Sequence, residues 1–454
     1  MKTLSYVVDG RLGDRLPQTV DSVVRTIREG VDVVAGQGTG MDAGPYYLGT
    51  DGVMPLRRGS VEPVLLAAKE TGTPFVFSMG GAAGADVHLE AYLDVVREIA
   101  RDNGTTFRVA VISGEISEDW LKQKLRDGTQ ARRSIETPRL SEYLTEQDVA
   151  EAVRIQSQMG PEPIMRALAE DGIDGVITGR ALDLGVMMAP LLAHGYPRGL
   201  AGHAAKVIEC GGMCAEPSQG WEGVLAELDG DSFTVTPVNP DFRCTVRSIT
   251  GHSLYEREDP FEERNPGGVL DVGHAVYEQV DDRTVRCSGG KWRDAPYTIK
   301  LEGAKQLGFQ AATLCAIRDE VLIRHLDGVL DDIREAVEHV SNGIDYTLTF
   351  RVLGRDAVLG SAEPNLGKVT PYEVGVLTLV TAPTQEQAME LTTTARLRLF
   401  LADYPDRRTT AGNAAVPLQQ TQFTLGPAYA FNVWHLLPLE DPCEPFTHEI
   451  VELG

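Results

Sequence analysis

The run Val176-Ile177-Thr178-Gly179-Arg180-Ala181-Leu182-Asp183 ends an apolar stretch in a glycine-arginine turn and restarts as a helical pattern. In an open α/β sheet, ligands bind beyond the carboxyl ends of the strands. A guanidinium delivered there suits a carboxylate or a phosphate. Arg180 therefore reads as an anion ligand in preference to an ion-pair partner. Asp183 would orient it or simply complement the helix dipole.

Two glycine-rich turns point the same way. Gly36-Gln37-Gly38-Thr39-Gly40 and Gly80-Gly81-Ala82-Ala83-Gly84 each follow an apolar run. Such turns let backbone N–H groups approach an anion, so Gly38, Thr39, Gly40 and Gly81 are candidate substrate contacts. Neither turn completes a dinucleotide fingerprint or a P-loop, which disfavours NAD and ATP. A tight-turn role alone accounts for either loop equally well. Asp42 and Tyr46, just after the first turn, could move a proton, although packing is the simpler use of at least one of Tyr46 and Tyr47.

Further along, Gly202 to Gly212 gathers His203, Lys206, Glu209 and Cys210. On a helix, His203, Lys206 and Cys210 share a face. His203 titrates near neutrality, and Lys206 could join it in proton transfer or hold substrate charge. A structural, hydrogen-bonded histidine is the more frequent use of such a residue. Zinc is disfavoured, because Cys210 and Cys214 have an unusual spacing and no second His/Cys pair follows at finger-like distance. No metal ligand is assigned, and the cofactor is left open. If a divalent cation such as magnesium takes part, Asp42, Asp183 and Glu209 offer the hard oxygens.

A strand-rich region then supplies Arg243 as a second anion ligand, with His252, Tyr255 and Glu256 as acid–base partners. Cross-strand pairing explains them equally well. Lys300 and Glu302 place a base-capable pair before a glycine turn, and a solvated ion pair is the simpler reading of them. Asn413 could hydrogen-bond substrate or cap a turn.

These residues need a scaffold, and the first half repeats one theme: a β-branched run, a glycine turn, a helix-period segment. Parallel strands are implied at Val31–Ala35, Phe75–Phe77, Phe107–Ile112 and Ile173–Ile177. Leu89, Leu93, Val96 and Ala100 mark one helix, and Thr145 caps another within the charged, helical stretch 115–170. Past Gly199 short strands are expected at 234–236, 244–246 and 284–287, and the stretch 375–380 precedes a helix carrying Ala388, Leu391, Ala395 and Leu399. Residues 341–367 are the softest candidate for a flexible connection. The fold class is α/β: a parallel-sheet domain over 1–200, with a β-rich, mixed region over 201–454 completing the site.

With 42 basic and 66 acidic side chains the chain carries a net charge of −24, which repels nucleic acid. No apolar stretch reaches signal-peptide or membrane-spanning length, so a cytoplasmic protein with reduced thiols is expected. A homo-oligomer is also expected.

The Gly36–Tyr47 loop, Thr178–Asp183, Gly202–Gly211, His252–Glu256, Pro266–Gly268, Lys300–Gly303 and Gly412–Pro417 together resemble the AtuA-like, acyclic terpene utilisation family. The resemblance spans nearly the whole chain. It implies a catabolic protein for branched or unsaturated acids and their CoA esters, first linked to growth on citronellol and geraniol, without a defined reaction. Some relatives resemble fusions carrying a small ferredoxin-like domain. A separately encoded small subunit is then an expected partner, and CoA is expected only as part of a substrate.

The expectation is a lyase adding or removing water across a double bond conjugated to a carboxylate or thioester. Arg180 and the glycine turns would hold the anion, His203, Tyr46 or Asp42 would take the proton, and His252 or Tyr255 would support the enolate. A non-catalytic ligand-binding or scaffold subunit and a metal-assisted isomerase are the alternatives.

Overall fold

Five short strands lie side by side and parallel in the order Lys2–Ser5, Val33–Gly36, Phe75–Ser78, Gly175–Thr178, Phe107–Ile112. The middle three are buried along their whole length, as parallel strands covered on both faces must be. Alternate residues serve two separate cores: Val33, Ala35, Val76 and Val176 face one, while Val34, Phe75, Phe77 and Ile177 face the other. The helix Asp86–Asp102 buries Leu89, Leu93, Val96 and Ala100 against the second core, as their spacing predicts.

The computed structural model describes residues 1–9, 16–368 and 370–454. Its contacts divide the chain into Met1–Lys305 with Phe431–Gly454, and Gln306–Ala430. The change of sequence character near residue 200 is not where the contacts divide. The strand Val224–Asp229 pairs antiparallel with Lys2–Ser5 and extends the same sheet through Ser232–Pro237, Val285–Ser288 and Val276–Gln279. His448–Leu453 closes the opposite edge against Phe107–Ile112. A separate three-stranded sheet holds Glu262–Asn265, Gly268–Asp271 and Lys291–Asp294.

In the second unit, Phe309–Ile317 pairs with Val374–Ala382, which pairs in turn with Thr347–Leu353. The helices Leu326–Ser341 and Gln385–Phe400 bury Leu330, Ile333, Leu391 and Leu399 in the core they share with these strands.

Three local expectations change. Cys244–Val246 is not a strand: Thr245 forms a capping box with Ser248 and starts the helix Val246–Ser253. A threonine side chain that satisfies the first free amides outweighs its β-branched preference. Within 341–367, Thr347–Leu353 is a paired strand. The stretch 115–170, read as helical, also contains the strand Arg154–Gln158. Thr145 does form a capping box, with Asp148. Among the described residues no helix is long and apolar enough to cross a membrane.

Candidate functional site

The two glycine turns meet at the carboxyl edge of the parallel strands, and the meeting explains the glycines. A Cβ on Gly38 would lie 2.6 Å from the Ser78 carbonyl oxygen, and one on Gly84 would lie 2.7 Å from the Arg180 amide nitrogen. Gly84 also holds a φ of +75° and Gly81 one of +50°, values that favour glycine. Of the candidate contacts, the Gly40 amide is used internally: it donates to Ala82 O at 2.7 Å, while Gly84 donates to Gly80 O at 2.7 Å. Thr39 Oγ1 bonds Ser78 Oγ at 2.8 Å. The turns fasten strand ends to one another, and the expectation that the Gly40 amide binds the anion is corrected.

Arg180 sits at this junction, 4 % exposed, and its donors are almost all consumed. Nε donates to Glu302 Oε2 at 2.9 Å, and Nη1 donates to Thr39 O at 3.0 Å and Ala181 O at 2.9 Å. Nη2 reaches Glu302 Oε1 at 3.4 Å. Burial works against the charged guanidinium, but Glu302 and Asp183 outweigh it and hold it firmly protonated. Four of the five N–H groups of a guanidinium are thereby taken. Arg180 is thus a structural clamp rather than the substrate's anion ligand. Glu302, read as the solvated half of a surface pair, is fully buried.

The clamp leaves other groups open. Lys300 Nζ lies 3.6 Å from Glu302 Oε1 and 3.8 Å above the Trp434 ring. Glu302 therefore faces two cations with a single negative charge. Burial lowers the Lys300 ammonium, with Glu302 opposing and Arg180 reinforcing the fall. A cleft of about 320 Å³ runs past Lys300, lined by Gln158, Arg264 and Asn265 on the polar side and by Leu182, Val269 and Leu436 on the apolar side. The Arg264 guanidinium has no side-chain partner among the described residues. Asn265, 9 % exposed, keeps a buried Oδ1 without a hydrogen bond.

Asp183 starts the helix Asp183–Ala193, directly after the cleft-lining Leu182. It is enclosed by protein on most sides, yet 35 % of its side chain is open, so it faces a recess. Its Oδ1 is 3.4 Å from Arg180 Nη1. Burial raises its pKa to about 6; Arg180 and Lys206 oppose the rise, while Asp42 and Glu302 add to it. The exposed Asp42 acts on this recess through its charge. Tyr46 is 45 % exposed and meets the Tyr47 ring edge-on at 5.4 Å.

A second polar group lies where the helix Arg198–Ile208 ends. Lys206 Nζ donates to Glu209 Oε1 at 2.6 Å and stands 4.2 Å above the Tyr255 ring. The Tyr255 hydroxyl is 3.3 Å from Glu209 Oε1 and 3.0 Å from Cys210 Sγ. His252, in the last turn of Val246–Ser253, stacks on Tyr255 at 4.5 Å. Burial pushes Glu209 up to about 8 against the pull of Lys206, and Glu263 and Asp183 add to the rise. Burial, with Lys206 and Arg257, holds His252 down near 3, as a neutral imidazole. Lys206 and Cys210, expected on one helix face with His203, thus meet His252 and Tyr255 from the later segment.

His203 belongs elsewhere. It is wholly buried, edge-on to Phe233 at 5.1 Å, with Nε2 3.1 Å from the Tyr277 hydroxyl. Burial and then Arg257 lower it to about 4, so it is a neutral core residue rather than the expected base. Arg243 is corrected as well: 3.3 Å from Glu216 on the surface, it is held in an exposed ion pair. Asn413, in the second unit, donates to Thr409 O at 3.3 Å, as a turn-capping amide does.

Lys300, Glu302, Gln158, Arg264 and Asn265 were missed as site residues. The Glu302 partner lies 122 residues upstream, and no local pattern announces such a pairing. The Gly268 turn beside Arg264 and Asn265 was the available hint.

A family model described as "Acyclic terpene utilisation family protein AtuA" matches residues 52–430 of the chain. No curated protein and no solved structure matches it.

Proposed function

This chain belongs to the acyclic terpene utilisation family, and we propose that within such catabolism it acts as a hydro-lyase on a small branched or unsaturated carboxylate or its CoA ester. The observation that carries the reading is the cleft. It is lined by two cationic side chains, Arg264 and Lys300, and by the apolar Leu182, Val269 and Leu436. That pairing suits an anionic head on a branched hydrocarbon body.

In this reading Arg264 and Lys300 receive the carboxylate or thioester oxygen, and the Lys300 ammonium stabilises the negative charge that develops there. Asp183, a carboxylate titrating near neutrality and open to the recess, removes the proton beside the carbonyl. The electron pair left behind forms the carbon–carbon double bond, and the β-hydroxyl departs as water with that proton. Arg180 and Glu302 act as positioning residues that fix Asp183 and Lys300.

The test is turnover of branched enoates and enoyl-CoA esters by the purified chain, with and without a small partner subunit. Asp183→Asn is expected to lower kcat by about 10²–10⁴-fold. In the parent, activity should fall as pH drops through about 6, because the base is lost when Asp183 is protonated. Ligand-dependent thermal shifts without any turnover would instead favour a non-catalytic binding subunit.

A further inference from the structure

We propose that Glu209, Cys210 and His252 form a binding site for a single zinc-like divalent cation. Their donor atoms lie within 4.8 Å of one another. Donors around tetrahedral zinc stand about 3–4 Å apart, given Zn–S of about 2.3 Å and Zn–N of about 2.0 Å. A small closure of three side chains therefore completes the set.

Two local devices bring the residues together. The helix Arg198–Ile208 ends at Glu209 and Cys210, and the chain then turns at Gly211 with φ +55°, where a Cβ would lie 2.6 Å from Glu222 O. The Thr245–Ser248 capping box fixes the start of the helix whose last turn carries His252. Sequence spacing around Cys210 points away from zinc, because the nitrogen donor comes from a different helix.

An independent observation points to a ligand. His252 is 6 % exposed, and its Nε2 is buried without a hydrogen-bond partner among the described residues. Unpaired buried nitrogens are costly and need an explanation. Glu209 has capacity to spare as well: Lys206 and Tyr255 both approach Oε1, and Oε2 accepts no hydrogen bond.

Lys206 is the objection, since its ammonium touches one ligand. The charges acting on this group answer it. Lys206 and Arg257 stand against Glu209 and Glu263, since Asp183 is already held by Arg180. A Cys210 thiolate, formed as the ion binds and its proton leaves, adds one negative charge that the cation compensates. Sulfur and imidazole donors select zinc or cobalt over the magnesium expected of an all-oxygen site. Three protein donors leave a position for water or a substrate oxygen. Access is provided by a cleft of about 580 Å³ lined by Met213, Glu216, Arg247, His252 and Tyr255.

The experiment is a Co²⁺ titration of the full chain after chelator dialysis, read by absorption and independent of any turnover. One equivalent should give a thiolate-to-cobalt charge-transfer band and the visible bands of four-coordination, both bleached by Zn²⁺. Cys210→Ser should abolish the charge-transfer band. His252→Gln should weaken Co²⁺ binding at least about tenfold, with folding checked by circular dichroism. A folded parent chain that shows no charge-transfer band in excess Co²⁺ overturns the proposal, as does a band that survives in Cys210→Ser.

Discussion

Arg180 and His252 are both buried polar residues of the first unit, and they differ in how fully the protein answers them. Arg180 places four N–H groups on Glu302, Thr39 and Ala181. His252 Nε2 has no hydrogen-bond partner among the described residues. A satisfied buried ion is an architectural part, and removing its partner leaves a stranded charge. An unsatisfied buried atom is a vacancy in the hydrogen-bond pattern and directs attention to what would fill it. Arg264 extends the contrast: it carries the same charge as Arg180, but is exposed and opens on a cleft without an ion-pair partner among the described residues.

The contrast breaks most easily at Glu302. Glu302→Ala strands the Arg180 guanidinium in the interior and should cost about 3–5 kcal/mol in urea unfolding. Arg243→Ala, which removes an exposed pair, should cost less than about 1 kcal/mol. Equal losses would mean that Arg180 is not a clamp.

His203 gives the next largest effect, through pH. Its native value near 4 lies below the ordinary 6.5, so between those two values the unfolded chain binds a proton that the folded chain refuses. Stability should therefore fall as pH falls through that window, by about 1.4 kcal/mol per unit for this group. His203→Gln should flatten that part of the profile. An unchanged slope would place His203 outside the core role assigned to it.

Gly84 gives a smaller effect than Glu302 or His203. Gly84→Ala forces a left-handed alanine at φ +75° against the Arg180 backbone. The conformation alone costs about 1–2 kcal/mol. A neutral result in thermal unfolding would show that the two turns can part without loss.

What was legible in the sequence is what local physics decides. The strand Phe107–Ile112, the helix stripe Leu89 to Ala100 and the Thr145 cap depend on neighbours within a few residues. The polar-rich segments that carry Lys206 and Tyr255 were also readable, but their meeting was not, since 49 residues separate the two. The fate of Arg180 was not. Its partner arrives on the strand Thr298–Ile317, far along the chain, and a lone guanidinium before a helix looks the same whether free or clamped. His203 was misjudged for the same reason: Phe233 and Tyr277, which enclose it, come from strands that follow it. Thr245 misled because a β-branched residue can begin a helix as readily as sit in a strand.

The central claim is that Arg264 and Lys300, and not Arg180, receive the substrate's negative charge. Calorimetric titration with a branched enoate and with its isosteric neutral amide tests it directly. The account predicts that the acid binds at least about tenfold tighter, a difference of about 1.4 kcal/mol, and that this preference disappears in a folded Arg264→Met, Lys300→Met double variant. Equal binding of acid and amide, or a preference that survives in the double variant, would contradict it.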